Sequence, residues 1–345
     1  MLPSMYSAIS GLRANQKKLD VIGNNIANVS TTAFKVQTVR FQDMLSQTVG
    51  EAVGAGSTTG GINPKQVGLG VKIGAINTLN TTGNMQSTGN TLDAAIDGKG
   101  YFMVGKGVLP PTNADGVTVN NTAADHTLGT STSPMDVMYT RDGSFTLDSE
   151  GNLLTSNGYR VLGFALSSDG GTTNSINYDT AATPPVVMNY VDADSTTLKA
   201  GTTLVPLRIT DSVLSGATTK MIKSFTIEKG GLIKAVLEDG SVTALGQIAM
   251  AGFSNESGLS KVGGNLYKNT ANSGAVIVRS GVGTAAADDN SNSYGDMLQS
   301  VLEMSNVDLA EQFTDMIVAS RAFQANGKMI TTGDELLETL VNLKR

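Results

Sequence analysis

The 345-residue sequence contains no cysteine and no tryptophan, and its single histidine is His126. Disulfide frameworks, thiol nucleophiles and Cys/His zinc sites are thereby excluded, and any metal would have to be held by oxygen alone. Aromatic residues make up only 5% of the chain, too few for the stacking platforms that sugars and single-stranded nucleic acids require. Basic charge is also scarce. A formal net charge of −6 offers no general attraction to phosphate backbones or anionic membranes, so neither nucleic-acid binding nor membrane insertion is expected. No apolar run approaches the ~20 residues of a membrane span. The segment Met1–Ser10 lacks a basic stretch followed by an apolar one, so no cleaved signal peptide is expected, and the chain reads as cytoplasmic or as exported by a route that needs none.

What is abundant is small and polar: 40 glycines and only 16% charged residues, a composition suited to turns and short strands. The two ends differ from this background. Met5, Leu12, Leu19 and Ile26 recur every seventh residue, with Ile9 and Ile22 widening the stripe. Leu302, Leu309, Met316, Phe323, Ile330 and Leu337 repeat the same spacing, joined by Phe313, Ile317, Leu340 and Val341. Sustained heptads keep one seam facing a partner helix, so the spacing predicts two terminal helices, the second a rod of about 60 Å from Leu302 to Leu343. Pairing them would cover both seams.

Between the helices the signals are those of strands. Residues 46–66 are rich in Gly, Ser and Thr and read as a flexible connector. Val67, Leu69, Val71 and Ile73 alternate with Gly68, Gly70, Lys72 and Gly74, and a short apolar run follows at Tyr101 to Val104. Asp142-Gly143, Glu150-Gly151 and Asn157-Gly158 punctuate apolar runs between Met135 and Phe164, predicting a meander. A Thr/Asn/Asp-rich stretch opens a second strand-bearing region at 166–245. The expected class is α+β and multidomain: a coiled-coil stalk from 1–30 with 296–345, a connector at 31–66, a middle β domain from 67–165 with 246–295, and an inserted outer β domain at 166–245.

No catalytic, cofactor or metal site emerges from the residues. His126 sits in a polar stretch and reads as a surface side chain. Asp142 and Asp148 could be an acid/base pair for glycoside hydrolysis, but turn acids explain them better. Gly98-Lys99-Gly100 lacks the spacing of a phosphate loop, and Asp148 to Asn152 lacks the ligand series of a calcium loop. Apolar helical ends flanking β domains instead suit a subunit built to assemble, and one that meets its neighbours through non-identical surfaces forms an open helical polymer when the rotation does not close.

The motifs resemble the flagellar axial proteins of rod and hook, most closely the hook subunits. Ser7-Ala8-Ile9-Ser10-Gly11-Leu12, then Leu19 through Asn28 and Thr32-Ala33-Phe34-Lys35, are similar to the shared rod and hook signature, with Ala33 standing where that signature often has Gly. Ala95 through Phe102 and Tyr139 through Phe145 resemble the same families. The stretch Leu302 through Ile317 and the closing Val341-Asn342-Leu343-Lys344-Arg345 are hook-like.

This resemblance implies a structural subunit of the bacterial flagellar hook, located in the extracellular hook, whose partners are other copies of itself, the hook cap, the distal rod protein, the hook–filament junction protein and the flagellar type III export apparatus. The assembly seam would be the heptad residues above. A distal-rod subunit is the second reading, and a β-rich adhesin or glycan-active enzyme a distant third. A joint that bends while rotating also needs hinges, expected in 46–66, in 280–295, and at the crossings near 165 and 246, where Gly163 and Gly246 relax the backbone.

Overall fold

The computed structural model describes residues 2–54, 56, 60–108, 112–119, 126–129, 135–168, 173–178, 186–216, 218–280 and 294–343. The chain forms two units, one from 1–80 with 306–345 and the other from 81–305. Each has its own logic.

In the first unit, α1 spans Leu2–Ala27 and α2 spans Leu309–Asn342, the latter about 50 Å long at ~1.5 Å per residue. The start of α2 is set by Asp308, whose carboxylate accepts from the N–H of Ala310 (2.8 Å) and of Glu311 (3.4 Å). Such a cap satisfies donors that the first turn leaves without partners. The helix therefore begins later than the heptad spacing predicts. Leu302 lies in the strand Val301–Glu303, paired with Met85–Ser87, and belongs to the second unit. It is not a seam residue, and 296–305 is not part of the helical unit.

The two helices run antiparallel. Met5 lies against Gly333, Gly11 against Asn326, and Lys18 pairs with Asp315 at 3.2 Å. A Cβ at Gly11 would come within 2.8 Å of the Asn326 amide nitrogen, so this glycine is what lets the helices approach. Where α1 ends, Asn25 donates to the Gln37 carbonyl (2.8 Å) and to Gln312 Oε1 (3.0 Å), while its Oδ1 accepts from the Gln37 N–H (3.0 Å). Asn306 makes a second clasp, accepting from the Val36 N–H (2.8 Å) and donating to the Leu79 carbonyl (2.9 Å). Ala33 takes a left-handed φ of 56° in the turn between them, which accounts for the glycine preference of the signature at that position.

Strands β1 (Gln37–Asp43), β2 (Ser46–Gly50), β3 (Lys65–Gly68) and β4 (Val71–Thr78) follow α1. β1 pairs antiparallel with β4 and β2 with β3, and a further bridge joins Val53 to Ile62. The stretch expected to be a flexible connector is therefore built largely as a two-stranded ribbon. The alternating run expected to open the middle domain belongs to this ribbon instead, interrupted at Gly70, where a φ of 123° breaks the extended chain. The Ser10 hydroxyl accepts there from the Val71 N–H at 3.2 Å.

The second unit is almost wholly β. Its central antiparallel path runs through Ser212–Ser215, Thr218–Ile227, Leu232–Leu237, Val242–Ile248, Arg160–Ser167, Tyr101–Gly107, Met135–Thr140, Leu266–Lys268 and Ser260–Gly263. The turn acids have the expected role: Asp142 accepts from the Ser144 N–H and hydroxyl, and Asp148 from the N–H groups of Glu150 and Asn152. The expected meander holds from Phe145 to Ser167, but Met135–Thr140 pairs with Tyr101–Gly107 instead of with its sequence neighbour.

No break in pairing separates 166–245 from the rest. Arg160–Ser167 hydrogen-bonds to Tyr101–Gly107, to Lys199–Pro206 and to Val242–Ile248, so one sheet runs across both expected crossings. Gly163 and Gly246 lie inside these paired strands. A Cβ at Gly163 would fall 2.1 Å from the Gln247 carbonyl oxygen, and one at Gly246 2.8 Å from Leu207 Cδ2. Close packing explains both glycines, and the hinge expectation does not hold for them. Of the expected link at 280–295, residues 281–293 lie outside the described residues. His126 is buried with a φ of 42°, its carbonyl accepting from the Val278 N–H at 2.9 Å; the expectation of a surface histidine is corrected.

Candidate assembly surface

The two units treat their apolar side chains in opposite ways. In the second, Tyr101, Tyr139, Phe253 and Tyr267 meet edge to face with centroids 4.9–5.6 Å apart, and two large apolar clusters fill the interior. In the first, the buried apolar residues among those described are Ala8, Ala14, Ile22, Ala33, Val36 and Ala319, with Asn25, Lys35 and Gln312 as buried polar residues beside them. Four of those six apolar residues are alanines. An interior so small supplies the helices with little of the packing from which their stability in water mainly comes.

The missing apolar area is on the outside. Of the 25 large hydrophobic side chains exposed among the described residues, 21 belong to the first unit. A monomer does not normally present so many large apolar side chains on one unit without a partner. The heptad residues divide accordingly. On α1, Ile22 is buried, while Met5, Ile9, Leu12, Leu19 and Ile26 are half-buried. On α2, Met316, Ile330 and Leu337 are half-buried, whereas Leu309, Phe313, Phe323 and Val341 are exposed.

The fully buried part of the helical unit is thus mainly small and amide residues, while most large side chains are half-buried or exposed. Leu309, Phe313 and Ile317 lie at i, i+4 and i+8 and make one exposed row. Met329, Leu336, Leu340 and Leu343 make a second row at a different azimuth. The heptad spacing includes all of the first row but only Leu340 of the second, and none of the small-residue interface. A periodicity count weighted toward small residues would have found Ala8, Gly11, Ala319 and Gly333.

Along α1 a groove of about 470 Å³ separates the helix from β4, lined by Ile9, Leu69, Val71 and Ile73 and bordered by Arg13, Lys17 and Lys72. None of this resembles a catalytic constellation, and no helix is long and apolar enough to cross a membrane among the described residues.

A chain with a self-contained β unit and a helical unit left apolar on its outside falls in the class of structural subunits. Family comparisons agree. Residues 5–35 match the model described as flagella basal body rod protein, 298–343 the C-terminal model of the flagellar basal body rod FlgEFG proteins, and 130–244 the D1 domain of the flagellar hook proteins FlgE/F/G. The chain is 40% identical over 345 residues to the flagellar basal-body rod protein FlgG of Bacillus subtilis, with all of both chains covered. It is 32% identical to the flagellar hook protein FlgE of Borreliella burgdorferi over 455 aligned positions and 33% identical to the FlgG of that organism over 348, again with all of each chain covered. The chain therefore belongs to the flagellar rod and hook protein family and is a structural protein of the flagellum, not an enzyme.

Proposed function

We propose that the chain is a subunit of the flagellar hook, polymerising with itself into a helical tube that serves as a flexible joint between rod and filament. The observation that carries self-assembly is the concentration of exposed apolar side chains on the helical unit, which needs other copies to complete its core. In this reading the seam consists of the two outer rows of α2 with Met5, Ile9, Leu12, Leu19 and Ile26 of α1. The hook cap, the distal rod protein and the hook–filament junction protein are its neighbours along the axis. Export runs through the flagellar type III apparatus, and the final location is the extracellular hook.

The hook assignment is supported by the hook-like stretch 302–317. A distal-rod subunit is the second reading, favoured by the 40% identity to a rod protein and by alignments to hook relatives that extend to 455 and 472 positions, well beyond the length of this chain. Electron cryomicroscopy of polymers grown from the purified chain separates them. Curved, supercoiling tubes are expected for a hook and stiff straight ones would transfer the assignment to the rod. A chain that stays monomeric or forms only amorphous aggregates at all concentrations would refute self-assembly.

A further inference from the structure

We propose that the groove between α1 and β4 is the socket for the C-terminal stretch of α2 from a second copy of this chain. The proposal rests on the reading of the chain as a self-polymerising subunit and names the contact that reading leaves open.

The groove has the form of a helix receptor. It follows α1 from Tyr6 to Lys17, a run of about 16 Å. Its floor is apolar, with Ile9, Leu69 and Val71, and its rim is basic, with Arg13, Lys17 and Lys72. Lys17 is paired with Asp20 at 3.1 Å; Arg13 and Lys72 have no ion-pair partner among the described residues. The chain's own α2 does not line the groove: along its length α2 meets α1 through Gly11 and Lys18, which point away from the Ile9–Arg13–Lys17 row, and Met5, which lies against Gly333, precedes it.

The last turns of α2 supply the complementary surface. Leu336, Leu340 and Leu343 stand exposed at i, i+4 and i+7, the spacing with which an amphipathic helix seats in an apolar groove. Asp334, Glu335 and Glu338 flank that row, exposed and without a basic partner among the described residues. The other exposed row of α2 is a poorer match: of the acids near Leu309, Phe313 and Ile317, Asp308 caps the helix and Asp315 is held by Lys18, leaving only Glu311. Basic rim against acidic flank and apolar floor against a leucine row select the C-terminal stretch as occupant. Because socket and plug lie on different surfaces of one chain, the contact is head-to-tail, and it propagates as an open polymer when successive rotations do not close into a ring.

Charge exchange on the full-length chain tests this. Arg13→Glu with Lys72→Glu, or Asp334→Lys with Glu338→Lys, should each slow seeded elongation roughly tenfold or more, since like charges then face each other at the contact. The chain carrying all four substitutions should recover to within about threefold of wild type, because the attraction is restored with its sign inverted. Thermal melting of the β unit serves as the folding control and should match wild type throughout. Elongation left unchanged by either pair, or a fourfold variant that melts normally yet elongates no better than the pairs, would overturn the socket while leaving self-assembly standing. A second measurement uses the absence of native cysteine: Lys17→Cys with Glu338→Cys should give a ladder of disulfide-linked multimers on oxidation of polymer. Polymers of normal length without a ladder would count against the socket. If the wild-type chain itself forms no polymer, it is the assembly reading that fails.

Discussion

Replacing Phe313 with aspartate should abolish polymerisation and leave the monomer folded. Phe313 is 49% exposed, and its row neighbours Leu309 and Ile317 are 40% and 62% exposed. Together they leave roughly one and a half large side chains' worth of apolar area for a neighbouring copy to cover. At about 1.5–3 kcal/mol per fully buried side chain, the row contributes roughly 2–4 kcal/mol per contact. A carboxylate in its centre removes the Phe313 share and adds a desolvation cost of several kcal/mol. Since ~1.4 kcal/mol is a factor of ten in an equilibrium constant, the critical concentration for elongation should rise by two orders of magnitude or more. Pelleting of seeded polymer across a concentration series measures this directly, with thermal melting of the β unit as the folding control. Ala319→Asp is the contrast, because Ala319 is buried within the monomer's own helix pair, and it should disorder the helices even where no polymer is present. A Phe313→Asp chain whose critical concentration stays within threefold of wild type would show that this row faces solvent in the assembly.

Three further outcomes follow from the geometry. Glu303 and Arg141 form a buried ion pair, Oε2 to Nε 3.5 Å, with Glu303 Oε1 also accepting from the Gly83 N–H at 2.9 Å; Glu303→Gln should cost the β unit about 3–5 kcal/mol in chemical denaturation, and Arg141→Met with Glu303→Leu should recover most of it. Burial pushes the hydroxyls of Tyr101, Tyr139, Tyr178 and Tyr294 above the ordinary range and that of Tyr267 up to about 12. The raised folded-state values mean that this stability is fully present below ~pH 10 and is lost above it, at up to about 1.4 kcal/mol per tyrosine per pH unit, so the melting temperature should hold to about pH 9.5 and then fall; a flat profile to pH 11 would contradict the burial of these rings. At Ala33, relief of a left-handed cost of ~1–2 kcal/mol offsets the loss of a buried methyl worth about 0.8 kcal/mol, so Ala33→Gly should leave helix protection in hydrogen exchange nearly unchanged, whereas Ala33→Val, β-branched at positive φ, should reduce it sharply.

Much of this architecture is legible in the residues, for reasons that are local. Heptads announce helices because a 3.6-residue turn stacks every third and fourth side chain, and acidic-Gly or Asn-Gly pairs announce turns because they tolerate positive φ; Gly151 and Gly158 take φ of 80° and 77° in the structure. The errors arise where a decision depends on distant chain. Leu302 continues the heptad by coincidence, and the cap that truly starts α2, Asp308 with Glu311 three residues on, was present in the sequence as the competing signal. The strand Arg160–Ser167 looks like a domain edge because a polar stretch follows it, yet besides its hairpin neighbour Leu153–Thr155 it pairs with three strands distant in sequence, whose register only the folded chain reveals.

The assembly surface exposes the deeper limit. Hydrophobic periodicity tells which face of a helix must leave water, but it does not tell which chain will cover it. Here the large side chains of Leu309, Phe313 and Phe323 invite pairing with α1, while the pairing is made through Gly11, Ala319, Asn326 and Gly333, where small size brings the axes close and leaves the bulky flanks on the outside. That division has a functional consequence. A contact whose fully buried part is mainly glycine, alanine and amides holds the helices only modestly, so the helical unit gains its full stability when neighbours supply the remaining apolar area. Addition at the growing tip should therefore further stabilise the ends, which are held less firmly in a free copy. Strengthening the internal contact tests the coupling: Asn326→Leu, set against Gly11, should raise helix protection in the monomer and slow elongation, because an already ordered unit presents a different surface to the tip. Faster elongation with higher monomer protection would mean instead that disorder of the ends is only a barrier to assembly and not its control.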